Sequence, residues 1–480
     1  MRLASALLAL AAGVTPAAQD PAPTPEPEQR EEAKQGDETK QDEDANQGGD
    51  VEQGEGVEPV PADDSTPPPG ETPAEQGEVA GSAPDPTGPA SVDSPAEFDA
   101  LAPLASFDAA GLAARFDAIA QAAPNLARAE VLTLEGIEVP LLTLGAADAP
   151  GPDARPALLF VGWGEPDEVE TALAIAERAI EPAGALLLAR ATVYLMPMLA
   201  GRDGGAVAAR NFPVGWRPET LVGGAGPYPL SEPASRVLAE QLQARANLVL
   251  MLSLRDGPCT GPELEGILAA RCREQLRTLA RAADNSGGPA LAAASLCPAT
   301  AASYAWAARG IFPARIDEPP VLDRIASHLA RARAGAALEA ARGLPGLVLG
   351  EPNLRVLKPG QVQLSLLVEN SGLLPTRGAA ASVFGHSSGV ALEVAGAQVL
   401  ACAAGPAPSG TSASSPSSNG GQAGDSVIRP RDGRFDLGDV SGGGALRVVL
   451  VLAGEPGAEV TLACRAPRAG SASLTVAIPE

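Results

Sequence analysis

Histidine is nearly missing from this sequence: there are two in 480 residues, His328 and His386. Any chemistry that needs imidazoles gathered at one place has only those two to draw on. Lysine is almost as scarce, with Lys34, Lys40 and Lys358 against 31 arginines, a usage closer to codon bias than to chemistry. No Lys/Arg cluster offers the basic face that a nucleic acid requires, which excludes that partner class. Five cysteines are too few for a disulfide framework, and none has the C-x-x-C spacing of a metal finger. Cys402 and Cys464, both in strand-like segments, could pair in an oxidising compartment, a point the sequence leaves open. Cys259, Cys272 and Cys297 leave at least one thiol over, and all five read as structural. Beyond the N-terminus, no stretch is both long enough and free enough of charge and proline to span a bilayer, which takes about 20 apolar residues.

What is present begins with MRLASALLALAAGVTPAAQD. One arginine, an apolar run from Leu3 to Val14 and small residues around Thr15 to Ala18 have the form of a secretory signal, here residues 1–18. Export, to the periplasm or fully outside, is the expected localisation, and no cysteine near the cleavage region suggests a lipid anchor. Residues 19–95 are Glu, Asp, Gln, Pro and Gly with almost no aromatic or β-branched content. They cannot bury enough apolar surface to offset their chain entropy, so a disordered, extended linker is expected. From Asp20 to Phe98 there are 22 acidic and three basic residues, a charge of −19 out of the total −25. The remaining −6 belongs to everything else, so the overall acidity says little about a partner.

From about residue 96 the pattern changes. FDAAGLAARFDAIAQAAPNL has helical spacing, and EVLTLEGIEVPLLTLG alternates like two short strands. PALLFVGWG (Pro156 to Gly164), ATVYLMPML and NLVLMLSL are continuous apolar runs, as expected of strands buried on both faces. Helices are expected between them, over Glu168 to Ala183 and from Ser231. Alternation of this kind predicts an α/β domain over 96–345. After Gly346, QVQLSLLVEN sets Val362, Leu364, Leu366 and Val368 on one face, and ALRVVLVLAG, AEVTLACRA and SASLTVAIPE repeat the theme. An all-β sandwich-like domain is expected over 346–480, interrupted by a flexible loop at 404–432.

One stretch is more specific than any of these patterns. Arg210, Asn211, Phe212, Pro213 and Trp216 are followed by Gly226-Pro227-Tyr228-Pro229-Leu230-Ser231-Glu232-Pro233, leading into a helix. These two linked segments resemble the zinc carboxypeptidase family, the carboxypeptidase A-like metallopeptidases, in the bacterial form with an appended β-domain. Ala234 departs from the family's usual glutamate. The strand–GWGEP–helix unit at 157–180, Tyr304 to Trp306 before GIFPARIDE, and VENSGLLPT at 368–376 follow in family order. The resemblance implies a twisted, mixed sheet of about eight strands flanked by helices. It also implies release of the last residue from a peptide, using one zinc and an activated water.

That zinc requires two imidazoles and a carboxylate, with the fourth position open for water. The family's His-x-x-Glu falls on Gly162-Trp163-Gly164-Glu165, so Glu165 matches the carboxylate ligand and glycine stands in the first histidine's place. The third ligand falls on Ser253 or, with a slip of one, Leu254. Neither histidine of the chain is near a ligand position: His328 lies within LDRIASHLARARA and His386 in the β-domain. Glu318, with Asp317 as the alternative, matches the catalytic base. Arg210 matches the arginine that holds a substrate's terminal carboxylate, with Asn211 beside it, because a guanidinium fork donates two parallel hydrogen bonds. The family's asparagine–proline–aspartate–glycine segment is reduced to Gly201-Arg202-Asp203-Gly204.

Three functional readings follow. An inactive carboxypeptidase-like protein without zinc would bind peptide or protein C-termini through Arg210. An active enzyme would need unusual ligands, such as Glu165 with Asp256 or Glu318. A scaffold would make its contacts through the β-domain. Gly385-His386-Ser387-Ser388-Gly389 also fits the G-x-S-x-G nucleophile elbow. That motif requires a strand-to-helix turn and a later histidine, and no histidine follows it.

Overall fold

Residues 108–148, 151–200, 205–214, 216, 226–255, 267–285, 289–297, 300–317, 326–407, 426–431 and 433–480 are described by the structure, a computed structural model. The expected signal peptide and acidic linker lie outside the described residues, as do Glu318, Asp256, Cys259 and 201–204.

The first sheet has seven described strands where about eight were expected. They are β1 (Ala127–Leu134), β2 (Ile137–Leu144), β3 (Ala157–Val161), β4 (Thr192–Met196), β5 (Leu248–Ser253), β6 (Leu291–Ala293) and β7 (Phe312–Ile316). Their order is β1-β2-β4-β3-β5-β7-β6. The centre, β4-β3-β5-β7, is parallel, and β1, β2 and β6 run antiparallel to their neighbours, so the sheet is mixed. Every residue of β3 and β4 is buried, which is why these strands appear in the sequence as unbroken apolar runs rather than alternating ones. Helices flank the sheet: α1 (Ala109–Ala122), α2 (Pro166–Ile180), α3 (Pro182–Leu188), α4 (Gly205–Ala208), α5 (Pro233–Ala244), α6 (Ile267–Asn285), α7 (Ala301–Arg309) and α8 (Ala326–Arg342).

The helix expected over Glu168 to Ala183 divides in two. Proline disfavours helical backbone in the residue before it; Glu181 is accordingly extended (φ −61°, ψ 157°), and Pro182 opens α3.

The chain then builds two further sheets from β8 (Leu347–Leu349), β9 (Asn353–Lys358), β10 (Gln361–Asn370), α9 (Ala379–Phe384), β11 (Val390–Ala395), β12 (Gln398–Pro406), β13 (Ser426–Val427), β14 (Arg434–Gly438), β15 (Ala445–Ala453), β16 (Glu459–Ala466) and β17 (Gly470–Ala477). One sheet has the order β13-β12-β15-β10-β8, with β9 also paired to β10, and the other β14-β11-β16-β17. β10 alternates along its length, with Val362, Leu364, Leu366 and Val368 buried in a second core. Ladder pairing reaches into both ends of the 404–432 segment, where Ala403 and Ala404 meet Val427 and Ser426. Residues 408–425 lie outside the description.

Cys402 and Cys464, whose pairing the sequence left open, are not bonded to each other. Both are free, on β12 and β16 of different sheets, and burial pushes their thiols up to about 11 and about 12. Cys272 is also free, whereas Cys297 is disulfide-bonded. The G-x-S-x-G match lies on the turn from α9 into β11, helix to strand, the reverse of a nucleophile elbow.

A buried guanidinium ties the β-sheets to the α/β layer. Arg468 donates to the carbonyls of Gly310, at 2.6 Å, and Arg309, where α7 ends in a left-handed glycine. A cation at a helix C-terminus is favourable because unpaired carbonyls point there. A side chain at Gly310 would need a strained φ of +63° and would meet Ala381 Cβ at 2.4 Å. Replacing Arg468 with methionine should lower unfolding stability by about 2 kcal/mol, since one buried and one part-buried carbonyl lose their donor. The urea midpoint measures it.

Candidate active site

The carboxyl ends of β3, β5 and β7 lie side by side, with Phe160, Leu252 and Ala314 in register. β3 leads through α2 to β4 on one side, while β5 returns on the other, so the crossovers part directly above β3. Such a switch point leaves a crevice where ligands bind in open α/β sheets. The cleft found there is lined by Val161, Trp163, Ala209, Ser253, Arg255 and Ala301. Gly162 lies in the chain between cleft-lining Val161 and Trp163, and Arg210 follows cleft-lining Ala209.

Gly162 is not an open position. A Cβ there would fall 2.6 Å from the Pro197 carbonyl oxygen and 3.0 Å from Oε2 of Glu168. Glu168 is 1% exposed, and its Oε2 accepts from the backbone N–H of Trp163 at 2.7 Å and of Glu165 at 3.1 Å. The second bond is half of a capping box, in which the N3 glutamate satisfies the N-cap amide of α2. Burial raises the Glu168 pKa, and the two N–H donors and Arg255 work against that rise.

Glu165, the matched metal carboxylate, holds the N-cap position of α2, with Pro166 next in the first turn. It pairs with Arg255 Nη1 at 3.7 Å. Arg255 lies two residues beyond Ser253, and its Nη2 also donates to both Asp167 oxygens at 3.0 and 3.1 Å. Asp167 in turn accepts from Arg333, a buried side chain on α8, at 3.1 Å. Sequence reasoning missed Arg255 and Glu168. The three-residue spacing from Glu165 to Glu168 fits a capping box, but nothing in the sequence tells an N3 glutamate facing solvent from a buried one.

Asn211 is fully buried, and its amide is taken up by the loop it was expected to accompany. Nδ2 donates to the Tyr228 carbonyl and to Ser231 Oγ, both at 3.0 Å, and Oδ1 accepts from Glu232 N–H at 2.9 Å. Gly226 closes against this amide with φ +72°; a Cβ there would meet Asn211 Nδ2 at 2.6 Å and Ser231 Oγ at 2.2 Å. The linked segments around Arg210 and Gly226 are thus one hydrogen-bonded unit. Beneath it, Phe212 packs on Tyr304 with ring centroids 5.5 Å apart. Arg210 is half-buried in that unit, next to cleft-lining Ala209. Asp317, the alternative base, is held by Arg315 at 2.8 Å, and Glu318 lies outside the described residues. His386 is at the far end of α7 from cleft-lining Ala301, its ring against the Ala307 carbonyl at 3.3 Å, and His328 is exposed on α8.

No family model matches the sequence, and no curated protein does. Solved structures do. The chain is similar to the carboxypeptidase A of Helicoverpa armigera, at 16% identity over 49% of this chain and 75% of that one, with a TM-score of 0.38. It is similar to a metallo-carboxypeptidase from Burkholderia cenocepacia, at 16% over 48% and 66%, TM-score 0.33. A third is the metallo-carboxypeptidase from Pseudomonas aeruginosa in complex with (2-guanidinoethylmercapto)succinic acid, at 15% over 48% and 67%, TM-score 0.32.

The described residues at the positions matched to zinc ligands do not fit zinc. Gly162 brings no ligand and its Cβ position is filled, Ser253 brings a hydroxyl, and Glu165 faces a guanidinium. Among the described residues, no three His, Cys, Asp or Glu side chains stand together as a metal would require.

Two outcomes follow. Changing Gly162 and Ser253 together to histidine should not create a zinc site. Gly162→His alone should cost about 3 kcal/mol from overpacking, with denaturation and zinc calorimetry as readouts. Glu168 has a raised native pKa, so the folded state binds its proton more tightly than the unfolded chain. Its contribution to stability should therefore grow as pH falls from the raised value toward the ordinary 4.5. The wild type minus Glu168→Gln difference in unfolding free energy should show that slope.

Proposed function

We propose that this is an exported, carboxypeptidase-like protein that does not hydrolyse peptide bonds and that binds peptide or protein C-termini through Arg210. The observation that carries the loss of hydrolysis is the placement of Glu168 against Gly162. An imidazole cannot be attached there without moving both the carboxylate and the Pro197 carbonyl. With zinc unsupported, Glu318 has no metal-bound water to act on. Binding is supported by the hydrogen-bonded unit around Asn211, the residue next to Arg210 in the chain, and by the suitability of a guanidinium fork for a terminal carboxylate. Export is supported by the N-terminal apolar run and by the disulfide at Cys297, a bond suited to an oxidising compartment. No described helix is long and apolar enough to cross a membrane.

Purified protein dialysed against zinc is expected to retain no stoichiometric metal and to leave peptides untrimmed. Stoichiometric zinc, or C-terminal trimming that disappears in Glu318→Gln, would overturn the inactive reading. In calorimetry, a peptide with a free C-terminus should bind more tightly than its amidated form, and Arg210→Ala should weaken the free form about tenfold. Equal affinity for both peptides would remove the carboxylate pocket and leave the scaffold reading.

A further inference from the structure

An exposed sheet edge offers unpaired N–H and C=O groups to any other strand, and folded proteins commonly guard it with charge, short length, proline or a bulge. In the first sheet, edge strand β1 carries Arg128 and Glu130, and β6 has three residues. In the second, β13 has two residues, while the opposite edge is three-residue β8 followed by β9 with Arg355 and Lys358. In the third, β14 carries Arg434 and Asp436.

β17 is different. It is eight residues long, Gly-Ser-Ala-Ser-Leu-Thr-Val-Ala, without charge or proline, and its register with β16 runs unshifted through all eight pairs. Among the described strands it pairs with β16 alone. Its apolar row is also incompletely covered. Leu474 and Val476 remain half-exposed although their ladder partners Leu462 and Val460 are 0% exposed. Ser471, Ser473 and Thr475 form an exposed hydroxyl row on the other face.

We propose that β17 pairs with β17 of a second copy of this chain, antiparallel around Leu474, joining two four-stranded sheets into one of eight strands. The strand's own pattern selects that occupant. A two-fold axis normal to the sheet sets residues of equal parity opposite each other, so the apolar row meets itself and the hydroxyl row meets itself. Thr/Ser pairs across strands are favourable, and an uncharged strand places no like charges opposite one another. The same strand satisfies both faces by symmetry, whereas a foreign segment must match each. Pairing begins past Gly470, because β8 approaches there and Leu347 N–H donates to the Ala469 carbonyl.

Sedimentation velocity on the full exported chain should give a concentration-dependent species of twice the monomer mass. The double variant Ser473→Lys with Thr475→Lys should be monomeric, as should Ser473→Glu with Thr475→Glu. Mixed in equal amounts, the two should recover the dimer mass. Both changes are on exposed positions, so an unchanged urea midpoint confirms that each variant is folded. Wild-type protein that stays monomeric throughout, variants that still dimerise, or a mixture that does not recover the dimer would each overturn the proposal.

Discussion

The cleft is organised by one buried carboxylate. Glu168 reaches back from the first turn of α2 to hold the N–H groups of Trp163 and Glu165, and in doing so it fills the space beside Gly162. A buried charge is costly unless it is hydrogen-bonded, so the turn after β3 is fixed by the need to satisfy that group. The rest of the cleft follows from the same turn. Glu165 is presented to Arg255, Arg255 is gripped by Asp167, and Asp167 engages Arg333 on α8. These ion pairs tie the ends of β3 and β5 to a neighbouring helix, with no group of three metal-ligating side chains among the described residues.

The framework around the cleft depends on a different device, buried asparagines that bind backbone. Asn211 closes the loop below the cleft. Asn247, at the opposite end of the sheet, donates to the Pro152 and Arg155 carbonyls at 3.1 and 2.8 Å. Asn370 accepts from Gly346 and Gly372 N–H and donates to the Leu374 carbonyl, where the α/β layer passes into the β-sheets. Each amide satisfies groups that an apolar side chain would leave unpaired in the interior. None of the three belongs to the expected metal-ligand set, so the scaffold does not depend on that set being intact.

This division explains what was legible in the sequence. β3, β4 and β5 were visible as continuous apolar runs and β10 as an alternating one, because burial on two faces or one writes itself into composition. The linked segments around Arg210 and Gly226 were visible as a motif because their amide, tight glycine and proline each serve one geometry. The contacts that decide the chemistry were not visible. Arg255 and Asp167 lie 88 residues apart in the chain, and no local pattern announces that they meet. The free state of Cys402 and Cys464 was hidden for a similar reason, since both segments read as strands but a sequence does not say that they enter different sheets.

Arg255 is the cation at the centre of the ion pairs at this cleft. A guanidinium at Arg255 balances Glu165 and Asp167 as a metal ion would balance carboxylates, so the acidic side chains can persist without mutual repulsion. It offers directed N–H donors but no open coordination position. It therefore cannot generate a hydroxide from water as a catalytic zinc does. A guanidinium complements a carboxylate but does not activate a nucleophile. Under the proposed function, recognition would stand apart from hydrolysis at the level of one side-chain type, because a guanidinium donates hydrogen bonds to a carboxylate without activating water.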